Sequence, residues 1–391
     1  MMKSTEAIRS VLQYRPVALG ILVAAAGLTG CGGGGGGGGG AGSTTPQTGS
    51  PTLPSLATYS YGNFKQIGLT PQNLPAGYAN ARAYGNFNGR SLGFFRAVET
   101  YSTAQPINNA TPSRFEFYDR LSNGTYALNK DLLTDQNGCL HPRKALVADF
   151  NGDGRPDIFV ACHGYDAAPF PGERNKVVLS QPNGTYATSD ASTDTGFFHG
   201  ASAADVNGDG RIDVISVGSY DSQRVIALLN DGSGKFTRDT NEARLPKLGN
   251  RNYYSVELID VDGDSRLDLV LGGHEWENAP TQYYTNPGDF MFGSVTPVTI
   301  PAVANEGVVL DFTVTGSDAN RTLWVLRTSG GDGTFYQSRV VQKVNVQTLN
   351  STLALNQRPQ TWIPWIIPSV ASNSRNVITS DNLADQLEIT Q

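Results

Sequence analysis

Three short stretches of this 391-residue chain set oxygen-bearing side chains at alternating positions. They read Asp149-Phe150-Asn151-Gly152-Asp153-Gly154-Arg155-Pro156-Asp157, Asp205-Val206-Asn207-Gly208-Asp209-Gly210-Arg211-Ile212-Asp213 and Asp260-Val261-Asp262-Gly263-Asp264-Ser265-Arg266-Leu267-Asp268. Positions 1, 3, 5 and 9 carry the oxygens in every copy. In a tight loop such side chains converge, and carboxylates brought that close repel one another unless a cation sits among them. Hard cations take six or more oxygens, so the expected chemistry is Ca²⁺ binding at about three sites. Position 7 (Arg155, Arg211, Arg266) would add its backbone carbonyl, and Asp157, Asp213 or Asp268 would close the shell. Glycine at position 4 of each copy allows the positive φ of a sharply curled backbone.

An EF-hand begins in the same way but requires a bidentate Glu at position 12 on an exiting helix. Here position 12 is Val160, Ser216 or Leu271, inside short apolar runs of β type, so each stretch is expected to join two strands. A metal-free polar turn is the alternative, since Asn-Gly and Asp-Gly form turns unaided. Three matched copies whose starts lie 56 and 55 residues apart favour the metal loop and mark an internal repeat.

This pattern, with a strand on each side, resembles the FG-GAP/VCBS repeat family of β-propellers, whose blades are also found in integrin α chains. The resemblance implies an all-β propeller of six or seven four-stranded blades, with calcium loops linking the first two strands of a blade. Weaker landmarks extend the count. Asn86-Phe87-Asn88-Gly89, Asp311-Phe312-Thr313-Val314 and the polar stretch from Ser369 to Arg375 read as cassettes that have lost their acids. Asn-Gly-Thr-Tyr at 123–126 and 183–186, and related turns at 230–236 and 331–335, read as outer-strand turns whose aromatic packs between blades. Six landmarks leave the last blade short, and Tyr59 to Ile67 could supply its missing outer strand, closing the ring.

The first thirty residues read as an export signal. Lys3, Arg9 and Arg15 form a basic region, and Val17 to Leu28 an apolar one too short to span a bilayer. Leu28-Thr29-Gly30-Cys31 then resembles a bacterial lipobox, which implies lipidation of Cys31 and a membrane anchor at a bacterial cell envelope, the outer membrane or cell surface foremost. Residues 31–55, opening with nine glycines, form a flexible tether, and 56–391 form the propeller. Removing residues 1–30 takes away three basic residues and one acidic, so the net charge of −6 becomes −8. No basic patch stands out, and nucleic acid is not an expected partner. Cys139 and Cys162 flank the first cassette, so a hairpin folding back near Asp153 brings them onto adjacent strands. In an exported protein a disulfide is then expected.

If the cassettes join strands one and two, the start of strand one and the end of strand two share the opposite rim. All four histidines fall there. His141 and His199 precede cassettes, while His163 and His274 each follow the last cassette Asp by six residues. The segments leaving strand two combine aromatics with carboxylates, which suits a sugar ring or a peptide. The ligand-binding candidates are therefore His141, His163, Tyr165, Asp166, His199, Tyr220, Asp221, His274, Trp276 and Glu277. Local capping and packing are the alternative role for each. His141, His163 and His199 could also hold a transition metal, although no ligand spacing imposes it.

The leading expectation is an anchored calcium-binding module that binds a glycan or protein partner and performs no chemistry. A second is an enzyme resembling polysaccharide lyases, with His163, Tyr165 or His274 as base. A third is an envelope scaffold lipoprotein.

Overall fold

A computed structural model of the chain describes residues 79–91, 93–218, 224–368, 377–380 and 387–389. The expected export signal, Cys31, the expected tether, the segment from Tyr59 to Ile67, Tyr220, Asp221 and the stretch from Ser369 to Arg375 lie outside the described residues. The described chain is an all-β propeller of antiparallel sheets in which each strand pairs with the next. The first blade holds β1 (Arg82–Gly85), β2 (Gly93–Val98), β3 (Arg114–Arg120) and β4 (Tyr126–Leu128). The second holds β5 (Pro142–Ala148), β6 (Asp157–Cys162), β7 (Glu173–Ser180) and β8 (Tyr186–Gly196). The third holds β9 (Phe198–Ala204), β10 (Asp213–Gly218), β11 (Val225–Asn230) and β12 (Phe236–Arg238). The fourth holds β13 (Tyr253–Ile259), β14 (Asp268–Gly273), β15 (Gln282–Tyr284) and β16 (Val298–Thr299). The fifth holds β17 (Val308–Thr315), β18 (Thr322–Thr328), β19 (Arg339–Asn345) and β20 (Ser351–Gln357). A last sheet has β21 (Trp365–Pro368), β22 (Val377–Ser380) and β23 (Leu387–Ile389).

The expected six or seven four-stranded blades are thus corrected: among the described residues five blades have four strands, and the sixth sheet has three.

Second strands are buried along their whole length in every four-stranded blade. Each blade is sandwiched between neighbours, so both faces of its inner strands meet apolar surface and the sequence reads as a continuous apolar run. The core accordingly lies between blades. Phe95 and Phe117 of the first pack with Val147 and Val160 of the second, and Phe150 and Phe159 of the second with Ala203 and Leu228 of the third. The turn aromatics Tyr186 and Phe236 reach back to pack against the preceding blade, while the Tyr186 hydroxyl donates to the Pro156 carbonyl of its own blade's cassette at 2.9 Å.

First strands face the centre, where β1, β5, β9, β13, β17 and β21 all line one cavity of about 60 Å³. That is room for about two waters. It is plugged by Lys144 of β5, which pairs across the channel with Glu257 of β13 and lies 3.4 Å from Asp311 of β17. Asp311 is therefore a buried strand residue and not the opening of a degenerate cassette. The loop between β17 and β18 comes later, at 316–321. The stretch 331–335 is also reassigned: it joins β18 to β19, so it lies on the rim opposite the cassettes and not at an outer-strand turn.

Cys139 and Cys162 form a disulfide with Cα atoms 6.0 Å apart. Closing a loop of 23 residues restricts the unfolded chain. Replacing both cysteines by serine is expected to lower unfolding free energy by about 3 kcal/mol on the loop-entropy account. Denaturant unfolding checks this, and an unchanged midpoint would contradict it.

Candidate functional site

Each cassette closes on one register pair, Ala148 with Asp157, Ala204 with Asp213 and Ile259 with Asp268. Position 1 organises the curl. Asp149 accepts from the N–H groups of Gly152 at 2.7 Å, Asp153 at 3.1 Å and Gly154 at 2.9 Å. Asp205 makes the same three contacts, and Asp260 makes two of them. Ser265 holds a φ of 70° where the other copies use glycine.

Position 9 does different work. Asp157, Asp213 and Asp268 are fully buried at the start of the second strand. Asp157 accepts from Phe150 N–H at 2.8 Å, Asn151 N–H at 3.1 Å and Ser180 N–H at 2.7 Å. Asp213 and Asp268 take the equivalent donors, Val206 with Asn230, and Val261 with Asn286. Each carboxylate thus ties the loop to the end of the third strand. Burial pushes Asp157 up to about 7, and Asp213 and Asp268 up to about 6, against the opposing pull of those donors.

At position 5, Asp153 accepts from the Ser180 hydroxyl, while Asp209 and Asp264 pair with the side chains of Arg211 and Arg266. The position-7 arginines reach across to the third-strand end. Arg155 donates to Gln181 O at 2.9 Å, Arg211 to Asn230 O at 2.8 Å and Arg266 to Asn286 O at 2.8 Å. Sequence reasoning gave these residues only a backbone role and missed this latch. Position 3 differs among copies. Asn151 donates to Ser180 O at 3.0 Å and Asn207 to Asp209 at 2.8 Å, while in the third loop Asp260, Asp262 and Asp268 each bring an oxygen within 4.8 Å of the others. That spread fits Ca²⁺, whose oxygens at about 2.3–2.6 Å lie up to about 5 Å apart across the ion. An open groove of about 440 Å³ lies beside these loops, lined in part by Asp205, Ile212, Arg266 and Phe290.

On the opposite rim the four histidines stand in one file of ring contacts. His141 meets His163 at 4.7 Å between centroids, and His163 meets His199 at 4.3 Å. Tyr254 follows at 4.4 Å, His274 at 4.2 Å and Trp276, stacked on His274, at 4.3 Å. Tyr101 prolongs the file beyond His141, and Phe335 beyond Trp276. The file is buried at one end and open at the other. His141, His163 and Tyr165 are buried, whereas Trp276 is 38 % exposed. Gly330 forms the floor under the indole: a Cβ there would lie 2.4 Å from the Trp276 ring. Glu277 accepts from His274 at 3.0 Å and from Asn252 at 2.8 Å, and the His274 contact holds its carboxyl below the usual range. Tyr165 donates its hydroxyl to the Gln105 carbonyl.

At the buried end, the Tyr101 hydroxyl is 2.9 Å from His141 Nδ1, while Glu99 and Arg143 lie 3.1 and 3.2 Å from Nε2. Burial holds His141, His163 and His199 well below the ordinary histidine range, so these rings are neutral. It also raises Glu99 to about 7 and Asp166 to about 6, with Arg143 opposing both. Sequence reasoning missed Tyr101, Tyr254 and Phe335. Tyr254 had a readable signal, since it lies one 55-residue repeat after His199. Tyr101 and Phe335 had none, because their loops match no copy.

Blades opening on acidic cassettes, stacked around a plugged channel with a ring-lined far rim, define a repeat-built β-propeller. The FG-GAP-like repeat pattern matches residues 149–216 and 205–271, running from the first cassette through the last three strands of the second blade and the whole third blade into β14 of the fourth. The chain is a β-propeller carrying FG-GAP-like repeats. No curated protein matches the sequence. Among solved structures it is similar to a 6-phosphogluconolactonase candidate from Bacteroides uniformis, at 10 % identity over 80 % of this chain and 79 % of that one, with a TM-score of 0.48. It is also similar to the SapL1 lectin in complex with alpha methyl fucoside, at 12 % identity over 83 % of this chain and 99 % of that one, with a TM-score of 0.41. Both likenesses are too distant to bear on function.

Proposed function

We propose that this chain is a calcium-stabilised binding module, held at a bacterial cell envelope through lipidated Cys31, whose aromatic rim takes a glycan or protein ligand. Calcium would be held by Asp260, Asp262 and Asp268 in the third loop and by the matching residues of the other two. There it would supply the positive charge that lets clustered carboxylates face one another.

The ligand reading rests on one observation: the open end of the ring file, where Tyr254, His274 and half-exposed Trp276 run beside Glu277 and Asn252. Aromatic rings offer apolar faces to the C–H surface of a sugar or a side chain, and carboxylate and amide groups beside them orient hydroxyls. The central channel is too small to hold such a ligand, so binding falls to the rim. Of the three bases considered for a lyase, His163 and Tyr165 are buried, and His274 holds Glu277. The binding reading is the better supported one.

A glycan and peptide array probed with the folded protein tests it. Trp276→Ala is expected to weaken any hit at least tenfold, an anchor loss of about 1.4 kcal/mol or more. The fold should persist with a lower thermal midpoint, because the indole is only 38 % exposed and packs on His274 and Phe335. Hits that survive the substitution unchanged would remove the rim from the proposal.

A further inference from the structure

The buried end of the file poses a problem that the ligand reading does not use. His199 Nδ1 lies 3.0 Å from the Phe197 carbonyl oxygen, and His163 Nδ1 lies 3.4 Å from that of Gly164. A carbonyl can only accept, so the arrangement favours a proton on each Nδ1 and leaves a lone pair on each Nε2. Those two Nε2 atoms face each other at 3.0 Å. Facing lone pairs repel. They become an asset when a cation binds both, and histidine ligands commonly donate their other nitrogen to a backbone carbonyl.

The spacing supports this. Metal–nitrogen bonds of about 2.0–2.1 Å put two ligand nitrogens about 2.9 Å apart at a right angle and about 3.4 Å apart at the tetrahedral angle. His163 also belongs to a second group: His141, His163 and Asp166 each bring a donor atom within 4.8 Å of the other two. Two imidazole nitrogens at this spacing suit a borderline divalent transition metal, with water completing the shell, and suit Ca²⁺ poorly, since it prefers oxygen.

We propose that the facing Nε2 atoms of His163 and His199, with His141 and Asp166 beside His163, seat a divalent transition metal of the Zn²⁺ class, separate from the acidic cassettes. The disulfide supports its geometry, for Cys162 immediately precedes His163 and Cys139 stands two residues before His141. The site stands whether or not the open end of the rim binds a glycan.

The test is a calorimetric titration of Zn²⁺ into the oxidised, full-length protein kept in excess Ca²⁺. Saturable uptake of about one equivalent is expected, weakened at least about tenfold by His163→Gln and by His199→Gln. Asp190→Asn, on the outer edge of the same blade, should leave uptake unchanged. A proton on His163 Nε2 would satisfy the histidine pair without metal, and it predicts no saturable uptake. That result overturns the proposal, as does uptake that survives His163→Gln but is lost in Asp262→Asn. Should a histidine variant fail to fold, anomalous scattering from wild-type crystals soaked in Zn²⁺ decides the matter. A peak between His163 and His199 supports the site; a peak only at the cassettes, or none, sinks it.

Discussion

Adding EDTA is expected to lower the thermal midpoint of this protein by on the order of 10 °C relative to about 10 mM Ca²⁺. The size follows from mass action. With a Kd of roughly 10⁻⁴ to 10⁻³ M, as in other extracellular calcium modules, each site gains about 1.4 to 2.7 kcal/mol at that concentration. Three cassettes would together give about 4 to 8 kcal/mol. Asp262→Ala should remove about a third of the increment while leaving the EDTA-treated protein nearly as stable as before, because its side chain is exposed. Differential scanning calorimetry with and without chelator reads both effects. Equal midpoints in EDTA and excess Ca²⁺ would falsify the calcium assignment.

Asp157→Ala is expected to cost about 3–5 kcal/mol, whether or not calcium is present. The carboxylate is fully buried and is the acceptor for three backbone N–H groups, those of Phe150, Asn151 and Ser180. Alanine leaves these donors enclosed without a partner, at about 1–3 kcal/mol for each group that water cannot reach. Relief from burying the carboxyl offsets part of that. Asp153→Ala, four residues away on the exposed side of the same loop, should cost less than about 1 kcal/mol in EDTA. Urea unfolding of the pair in EDTA separates the two roles. A loss below about 1 kcal/mol for Asp157→Ala would mean that position 9 serves the cation alone.

The contrast shows how far the sequence could be read. The cassettes told where strands one and two meet, because Gly-rich acidic turns between apolar runs leave the chain little choice. They also placed the histidines on the far rim, since hairpin geometry puts His163 and His274 at equivalent strand ends. Division of labour inside the cassette was hidden. Nothing in the letters distinguishes Asp157, buried under backbone donors, from Asp153 at the surface. Asp311 misled because it precedes an apolar run as a cassette Asp would. Its partner, Lys144, lies 167 residues away, and only the closed ring brings them together. Tyr101 and Phe335 join the rim through loops of irregular length, which periodicity cannot predict.

One consequence of the fold concerns its divisibility. The apolar faces are shared, so that Phe95 of one blade and Val160 of the next belong to the same core. An excised single blade would carry two bare greasy sides and no interior of its own. Blades therefore differ from beads on a string: trimming the gene at a repeat boundary would strip a neighbour as surely as it removes a unit. Fragment studies, permuted variants and fusions to this protein should cut at surface turns and keep the ring whole.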